Sequence, residues 1–462
     1  AALALPAVLL WQNAYDAEQL KTVGGAEQNG HTFGWQFGNW ELEGVKGIRE
    51  DFRYWYPKEA DFAREWGAFT NAMGKAEPDF PPPMGEGAVF FGGTDPGRFV
   101  PTYMIYSADV RSDVYLITQN ALADNTFMNV TRDLYGDTIY IPSAADSDQA
   151  FQQYVEDVRT GKVSAGADIV IENGRVSVQG VQGVMTINGL LARLIFEGNK
   201  AEHEFYVEES YAIQWMYPYL TPHGLIMKIN PEPLRRLGDD VVENDHRFWG
   251  WYTDWLLSKS EFTRDICARK SFSKLRSAIA GLYEYRRNWA EAEYAYKQAV
   301  ALYPLSPEAV LRLAQMYVNL GRMDEAKSLL EAFTDPETGD PHSDSALGFL
   351  AQIEKSGDMA ARRDELETKQ KEAGGLVLDE AMELLDIYRK FRQTDRFRLL
   401  ARMLAENPRV PKQYLMAVAQ VLAAENQVDL LATALETYAG KDPDAAAVWY
   451  DLAAARAMLG QP

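Results

Sequence analysis

The chain has 462 residues, of which 47% are hydrophobic, so it can form two or three domains with buried cores, and a disordered chain is excluded. Its 67 acidic and 46 basic side chains give a net charge of −21, which argues against nucleic acid or an anionic membrane surface as the main partner. Cys267 is the only cysteine, so an internal disulfide and a thiolate metal site are excluded. The five histidines include no pair at the i, i+4 spacing of a zinc helix, and we expect neither metal nor cofactor.

Residues 1–14 form an apolar arm that ends near a tryptophan. Its apolar run of roughly eleven residues is shorter than the roughly 20 residues that span a bilayer. Three origins remain open: the stub of a membrane helix, the end of a signal segment, or an arm that packs against another protein. Folding of the arm onto its own domain is a fourth possibility. The candidate contact residues are Leu5, Val8, Leu9 and Trp11.

Residues 15–87 form an aromatic-rich segment that we expect to be helical or irregular. Aromatic faces can stack on sugars, but such clusters are more typical of a hydrophobic core. A run of prolines at 81–83 then forms an extended connector, because proline can neither extend a helix nor donate to a sheet. We therefore expect the next domain to begin near residue 88.

An α/β domain is predicted over residues 88–240. A strand at 89–91 leads into a Gly-rich turn at 92–97, a helix with Pro101 in its first turn, a strand at 113–118 and a helix at 126–135. Open α/β sheets place ligands at the carboxyl ends of parallel strands, where both turns should lie. The turns could cradle an anion or sugar phosphate, or could simply be a tight turn and helix caps. The candidate binding residues are Gly93, Thr94, Asp95, Arg98, Asp124 and Asn125.

The rest of this domain alternates between strands and helices. We predict a third strand at 138–142, helices at 148–160 and 183–197, a β-hairpin at 168–178 with an Asn-Gly turn, and late strands at 205–207 and 225–229. Glu208 and Glu209 are adjacent, so their side chains should point to opposite faces, and we expect solvated or hydrogen-bonding residues rather than an acid/base pair. The predicted class is a mostly parallel sheet with one hairpin.

From residue 241 the pattern is helical, with a connector at 241–271 and a tetratricopeptide-repeat superhelix at 272–462. Small and aromatic residues recur after 34 residues, as that repeat requires. Further helix pairs are predicted at 343–367, 378–407 and 411–439, followed by one more first helix at 445–459. The predicted packing residues are Ala280, Tyr283, Ala292, Tyr296, Ala299, Ala314, Tyr317, Gly321 and Ala326.

Several short motifs in the first half occur in a recognisable order. They are residues 35–40 (Trp-Gln-Phe-Gly-Asn-Trp), the turn at 92–97, residues 110–114 (Val-Arg-Ser-Asp-Val) and residues 217–225. This order resembles the extracytoplasmic part of bacterial membrane proteins related to protein O-mannosyltransferases, of the GT-C glycosyltransferase class, over roughly residues 1–235. The resemblance implies an extracytoplasmic location, membrane attachment through an upstream segment, and a sugar or lipid-phosphate-sugar ligand. The catalytic residues of that class lie in loops between membrane helices that this sequence lacks, and Gly93 stands where the class usually has an acidic residue.

Two functions follow from these patterns. The first is a non-catalytic extracytoplasmic interaction and assembly protein that binds protein partners or copies of itself. Trp449 and Leu452 of the last helix and the apolar arm are its candidate assembly residues, and a contact between two different patches propagates into a filament or ring. The second is the soluble accessory domain of a GT-C membrane glycosyltransferase. We identify no catalytic residues in either case.

Overall fold

The computed structural model describes residues 4–15, 32–93, 95–162, 169–172, 175–178, 180–208, 213–373 and 375–460. The chain divides into two compact units, Ala1–Ala346 and Leu347–Pro462. The predicted class is confirmed, since an α/β region is followed by an array of helix pairs. The first unit contains the α/β region together with the first two helix pairs of the array.

The helices before the array are α1 (Ala4–Tyr15), α2 (Phe33–Trp55), α3 (Glu59–Met73), α4 (Asp95–Tyr106), α5 (Asn125–Tyr135), α6 (Ala144–Arg159), α7 (Val181–Asn199), α8 (Asp239–Leu257) and α9 (Ser260–Arg264). The strands are β1 (Val89–Gly92), β2 (Tyr115–Thr118), β3 (Ile169–Glu172), β4 (Arg175–Val178), β5 (Phe205–Glu208), β6 (Leu220–His223) and β7 (Ile226–Ile229). The array contains α10 (Ile266–Tyr285), α11 (Trp289–Leu302), α12 (Pro307–Asn319), α13 (Met323–Phe333), α14 (Asp344–Ala373), α15 (Leu378–Lys390), α16 (Thr394–Glu406), α17 (Lys412–Ala424), α18 (Val428–Lys441) and α19 (Ala446–Met458).

Five strands form one sheet in the order β2-β1-β5-β7-β6. The sheet is mixed, not mostly parallel, because β1 pairs in parallel with β2 and β5 whereas β7 pairs antiparallel with β5 and β6. A tight turn at Gly224 (φ +68°) joins β6 to β7, and only antiparallel strands can be joined so closely. The sequence did not indicate β6 because it contains Pro222, which an edge strand tolerates. The predicted hairpin is present as the separate β3-β4 pair, and its Asn-Gly turn lies outside the described residues.

The predicted third strand at 138–142 is wrong. These residues form no strand, although Ile139 and Ile141 are buried. The side-chain amide of Asn199 takes the place of a neighbouring strand: its Oδ1 accepts from Tyr140 N at 2.7 Å and its Nδ2 donates to Tyr140 O at 2.9 Å. An apolar alternation therefore reflects burial here without sheet pairing.

Aromatic packing joins α2 to α8 in the first unit. Trp40 and Phe52 of α2 are buried against Trp251 and Tyr252 of α8, and the Trp40 and Tyr252 ring centroids lie 5.0 Å apart. Most of the aromatic segment is thus core, as its composition favoured. The helix α2 kinks at Gly44 (φ +54°), where a side chain would collide with the backbone of the proline connector.

A buried ion pair joins α8 to the first helix of the array. Asp245 of α8 accepts from Arg276 Nη1 at 2.8 Å and from Tyr283 Oη at 2.8 Å, and all three residues are fully buried. The Arg276 guanidinium also lies 5.1 Å from the ring centroid of Trp249. Helix α10 further contacts β6 and β7, so the sheet and the first repeats share one compact unit.

The predicted helix pair at 343–367 is wrong, because α14 is a single helix of 30 residues. The other pairs turn through a residue with positive φ, and no residue of α14 has one. Gly357 lies where a turn could form, yet it stays helical. The later pairs at 378–407 and 411–439 and the last helix form as predicted. Within the described residues, no helix combines the length and apolar content needed to cross a membrane.

Candidate functional site

The helix pairs of the array share one turn geometry. Each first helix is followed, two residues beyond its end, by a residue in the left-handed region, which we call the turn residue. The turn residues are Arg287, Gly321, Arg392, Asn426 and Gly460. Spacings of 34 residues separate the first two and the last three, so the backbone itself repeats with the predicted period.

The predicted packing residues lie inside the array. In the four helix pairs, a buried small or aliphatic residue stands seven residues before the turn residue, and a buried tyrosine or leucine stands four before it. The small residue lets the paired helices approach closely, and the larger one fills the space between repeats. The last helix differs, because the exposed Ala453 and the partly buried Arg456 occupy these positions before Gly460. The buried members are Ala280, Tyr283, Ala292, Tyr296, Ala299, Ala314, Tyr317 and Ala326. Gly321 is different, because it is exposed and serves as a turn residue with φ +77°.

The last helix, α19, exposes a face that the preceding repeat buries. Trp449, eleven residues before its turn residue, is 47% exposed, whereas its equivalent Leu415 is fully buried where α17 packs against α18. Ala453 is exposed where its equivalent Ala419 is buried. Tyr450 extends this surface: it is 78% exposed, whereas its equivalent Met416 is partly buried against the core. We call this surface, centred on Trp449, Tyr450 and Ala453, the open face.

Leu452 does not belong to the open face. It is 2% exposed and lies in the same hydrophobic core as Leu435 and Ala439 of α18, so it holds α19 to its neighbour. Its prediction as an exposed assembly residue is therefore corrected.

The apolar arm forms the helix α1, and its four predicted contact residues are exposed. Leu5 is 65% exposed, Val8 51%, Leu9 47% and Trp11 57%. No charged residue occurs in the 12 residues of this helix. An exposed apolar helix of this kind commonly marks an interaction site.

The predicted ligand-binding residues in the turns after β1 and β2 are only partly brought together. The turns after β1 and β2 lie at one sheet edge, since Gly92 is in register with Thr118. Gly93 is buried, Thr94 lies outside the described residues, and Asp95 begins α4, which places Pro101 inside this helix and not in its first turn. Arg98 is exposed, with its guanidinium 5.2 Å from the ring centroid of Phe99.

In the turn after β2, the structure shows the helix cap that was one of the two interpretations of Asp124. The Asp124 carboxylate accepts from Phe127 N at 2.8 Å and caps α5, whose first residue is the exposed Asn125. This hydrogen bond satisfies one of the free N–H groups at the start of the helix. Asp124 therefore has a local structural role.

Sequence analysis missed a buried carboxyl pair at the same edge. Glu208 ends β5 in register with Gly92, and Glu41 of α2 is near enough for its charge to act on it. Both are buried, so burial excludes the solvated one of the two roles expected for Glu208. Burial, and secondarily the charge of Glu208, raises the pKa of Glu41 well above its usual range. The pair lies where strand order reverses around β1, which no local motif indicates.

Comparison with known proteins supports the repeat array. A tetratricopeptide repeat family matches residues 286–353, which include α11, α12 and α13. No curated protein matches the chain. One similar solved structure is described as "Crystal Structure of P58(IPK) TPR Domain at 2.5 A". The match is 10% identical in sequence and covers 89% of this chain and 96% of that chain, and its TM-score of 0.19 is too low to establish a shared fold. Tetratricopeptide repeats form extended surfaces that bind proteins, and protein–protein interaction is the general role that this array indicates.

Proposed function

We propose that this protein is a non-catalytic, extracytoplasmic interaction and assembly protein whose repeat array binds other proteins, including copies of itself. The open face is the observation that carries the proposal. In the preceding repeat the equivalent residues Leu415 and Ala419 are buried where a second helix packs. A helix supplied by another molecule would bury Trp449 and Ala453 in the same way, and would cover part of Tyr450 as part of Met416 is covered.

The occupant that we propose is α1 of a second copy. The second helices of the described pairs have 11 to 14 residues, and α1 has 12. Leu5 and Leu9 are spaced i, i+4 and lie on one side of α1, which is the spacing that fits between repeats. Its lack of charged residues means that no charge would be buried on docking.

This contact joins two different surfaces, so each copy could bind one neighbour through α1 and another through α19. A head-to-tail contact builds a ring when its rotation closes and a filament when it does not. The extracytoplasmic location, with possible membrane attachment, rests on the resemblance of residues 1–235 to the GT-C proteins.

Light scattering over a concentration series tests this function. We expect the wild-type mass to rise from 52.0 kDa toward multiples of it, and Tyr450→Glu or Leu9→Glu to keep the chain monomeric. Val130→Glu is the matched control, because Val130 is also an exposed apolar helix residue (49%) but lies in α5. Wild-type protein that stays monomeric throughout, or a control that behaves like Tyr450→Glu, would contradict the proposal.

Mixing the two monomeric variants sharpens this test. Tyr450→Glu keeps an intact α1, and Leu9→Glu keeps an intact open face. If the contact is head-to-tail, an equimolar mixture forms a dimer and stops there, while each variant alone remains monomeric. A mixture without dimer would argue against α1 as the occupant.

A second candidate is the soluble accessory domain of a GT-C membrane glycosyltransferase. The sheet edge favours it, because the ends of β1, β2 and β5 meet where the strand order reverses, a position at which α/β sheets commonly bind ligands. Titration of mannose 1-phosphate by calorimetry tests this candidate. Saturable binding that Arg98→Ala weakens would support it, and unchanged binding would leave Arg98 as a surface residue.

A further inference from the structure

A cavity of about 660 Å³ lies between α2 and the loop that follows α4. Two aromatic rings on its wall are accessible: Tyr54 is 83% exposed and Trp35 39%. A volume of this size suits a small organic molecule or a long side chain. The cavity is separate from the repeat array and from the sheet edge, and the predicted site residues do not include any of its lining.

Hydrogen bonds within the domain already engage the donors on one wall. Trp35 Nε1 donates to Asp51 Oδ1 at 2.9 Å, while Trp40 Nε1 and Asn39 Nδ2 donate to Asp51 Oδ2 at 2.7 and 3.1 Å. These bonds fix the plane of the Trp35 ring at the cavity wall. They also engage both oxygens of the Asp51 carboxylate with donors of the same wall.

The arginine in the cavity is engaged in the same way. Arg111 pairs with Asp113 through two bonds of 2.8 Å and donates to the carbonyl oxygens of Met84 and Gly85 at 2.7 and 2.6 Å. Its charge is therefore balanced by Asp113, and its guanidinium anchors the loop to the proline connector. A ligand cannot recruit Arg111 without breaking these bonds.

The carboxylates at the opening are different. Glu50 and Asp109 line the cavity, are exposed, and have no hydrogen-bond or ion-pair partner among the described residues. Glu43, which also lines it, pairs with Lys46 at 3.1 Å on the surface. The groups left for a ligand are thus aromatic faces and hydrogen-bond acceptors with negative charge.

We propose that this cavity binds an organic cation, an alkylammonium or guanidinium group, between the Trp35 and Tyr54 rings and the carboxylates of Glu50 and Asp109. A cation gains from the ring faces and the carboxylates together. A neutral sugar would gain from the rings alone, and an anion would be repelled. Either a free polyamine or a lysine side chain of a protein carries the required group.

Calorimetric titration with spermidine and with Nα-acetyl-lysine methyl ester tests this proposal, with glucose as the neutral comparison. We expect saturable binding of at least one amine, no binding of glucose, and weaker binding at higher salt. Binding of spermidine alone assigns a free polyamine, and binding of the lysine ester assigns a protein side chain. Binding of glucose with no binding of either amine would overturn the proposal.

Two variants locate the binding to the cavity. Tyr54→Ala should weaken amine binding about fivefold to tenfold, the usual effect of losing a cation–π contact. Glu50→Gln with Asp109→Asn should weaken it by about tenfold or more, since both charge partners are lost. Asn also tolerates the left-handed backbone of Asp109 (φ +55°), so this variant should fold.

The matched control is Tyr103→Ala with Asp358→Asn, which removes an exposed ring and an exposed carboxylate elsewhere. Its amine affinity should equal that of the wild type. Equal affinities in the control and in both cavity variants would show that the amines bind nonspecifically to an acidic protein, and the proposal would fail.

Discussion

The two units of this protein differ in where their charged side chains lie, buried in the first unit and at the surface in the second. The first unit buries charged side chains at Glu41, Asp51, Glu208, Asp245 and Arg276. In the described part of the second unit, no charged or polar residue is buried, and its core is built from aliphatic residues, alanines and a few aromatic rings. Its ion pairs, such as that of Arg362 and Glu383, lie at the surface.

One repeat position shows the difference directly. Eleven residues before the turn residue stands Arg276 in the first repeat, bonded to Asp245, whereas the same position holds the buried Leu415 near the end of the array and the exposed Trp449 in its last helix. The residue at a repeat position therefore follows what covers that position. Where Asp245 of α8 faces this position, it holds the arginine of an ion pair, and within the core of the second unit it holds an aliphatic side chain.

The largest expected effect comes from breaking the buried ion pair. Asp245→Asn leaves the Arg276 charge buried without its counter-ion, and we expect it to lower the free energy of unfolding of the first unit by about 3–5 kcal/mol. Tryptophan fluorescence during urea unfolding measures this unit selectively, because ten of the eleven tryptophans precede residue 347.

Two controls accompany this variant. Asp245→Leu combined with Arg276→Met should recover most of the lost stability, because apolar groups then replace both charges. Glu383→Gln removes one partner of an exposed ion pair and should cost less than about 1 kcal/mol. A loss of similar size in Asp245→Asn and Glu383→Gln would contradict the contrast between the units.

The next effect separates two equivalent positions within the second unit. Leu415→Ala should destabilise this unit by about 2–5 kcal/mol, because it opens a cavity in the core. Trp449→Ala should cost the isolated chain less, about 1 kcal/mol or less, because Trp449 is 47% exposed whereas Leu415 is fully buried. Hydrogen exchange across residues 378–458 compares the two, and equal protection in both variants would show that Trp449 is part of the core.

A smaller effect tests the buried carboxyl pair. The raised pKa of Glu41 means that the folded protein keeps a proton which the unfolded chain releases, so stability falls as the pH rises above the ordinary glutamate range. Glu41→Gln cannot ionise, so it removes this loss, and we expect the variant to be the more stable protein at pH 8. Near pH 4 the two proteins should be closer in stability. Parallel pH profiles of the melting temperature would contradict this account.

The smallest effect concerns the turn residues. Gly321→Ala places a side chain in the left-handed region and should cost about 1–2 kcal/mol. Asn426→Gly, at the equivalent turn, should be neutral or slightly stabilising, because glycine accepts this backbone more readily. Thermal unfolding measures both, and equal changes of the same sign would contradict a shared turn geometry.

The array was predictable because its signal is local and periodic. Ala280 and Ala314 recur after 34 residues, and the packing of neighbouring helices follows from that spacing. The single helix α14 was missed because the repeat pattern, continued from the preceding pairs, predicts a helix pair at 343–367. The class of the first domain was predicted, but the edge strand β6 was not, because Pro222 within it is atypical of a strand.

The sites depend on contacts that are distant in the chain. Arg276 and Asp245 are 31 residues apart, and the charge of Glu208 in β5 acts on Glu41 in α2, which comes much earlier in the chain. Such pairs leave no spacing signal, because tertiary packing alone brings them together. The apolar arm was identified from its uninterrupted apolar run, and the last helix from the repeat pattern.

The most direct test of the assembly function is a cross-linking experiment between two versions of the chain, both carrying Cys267→Ser. One version has Leu5→Cys in α1, and the other has Tyr450→Cys in α19. If α1 of one copy seats on the open face of another, a short bismaleimide should join the two versions into a mixed dimer far more readily than it joins either version to itself. Absence of that mixed product, or equal linking within each version, would contradict the head-to-tail contact.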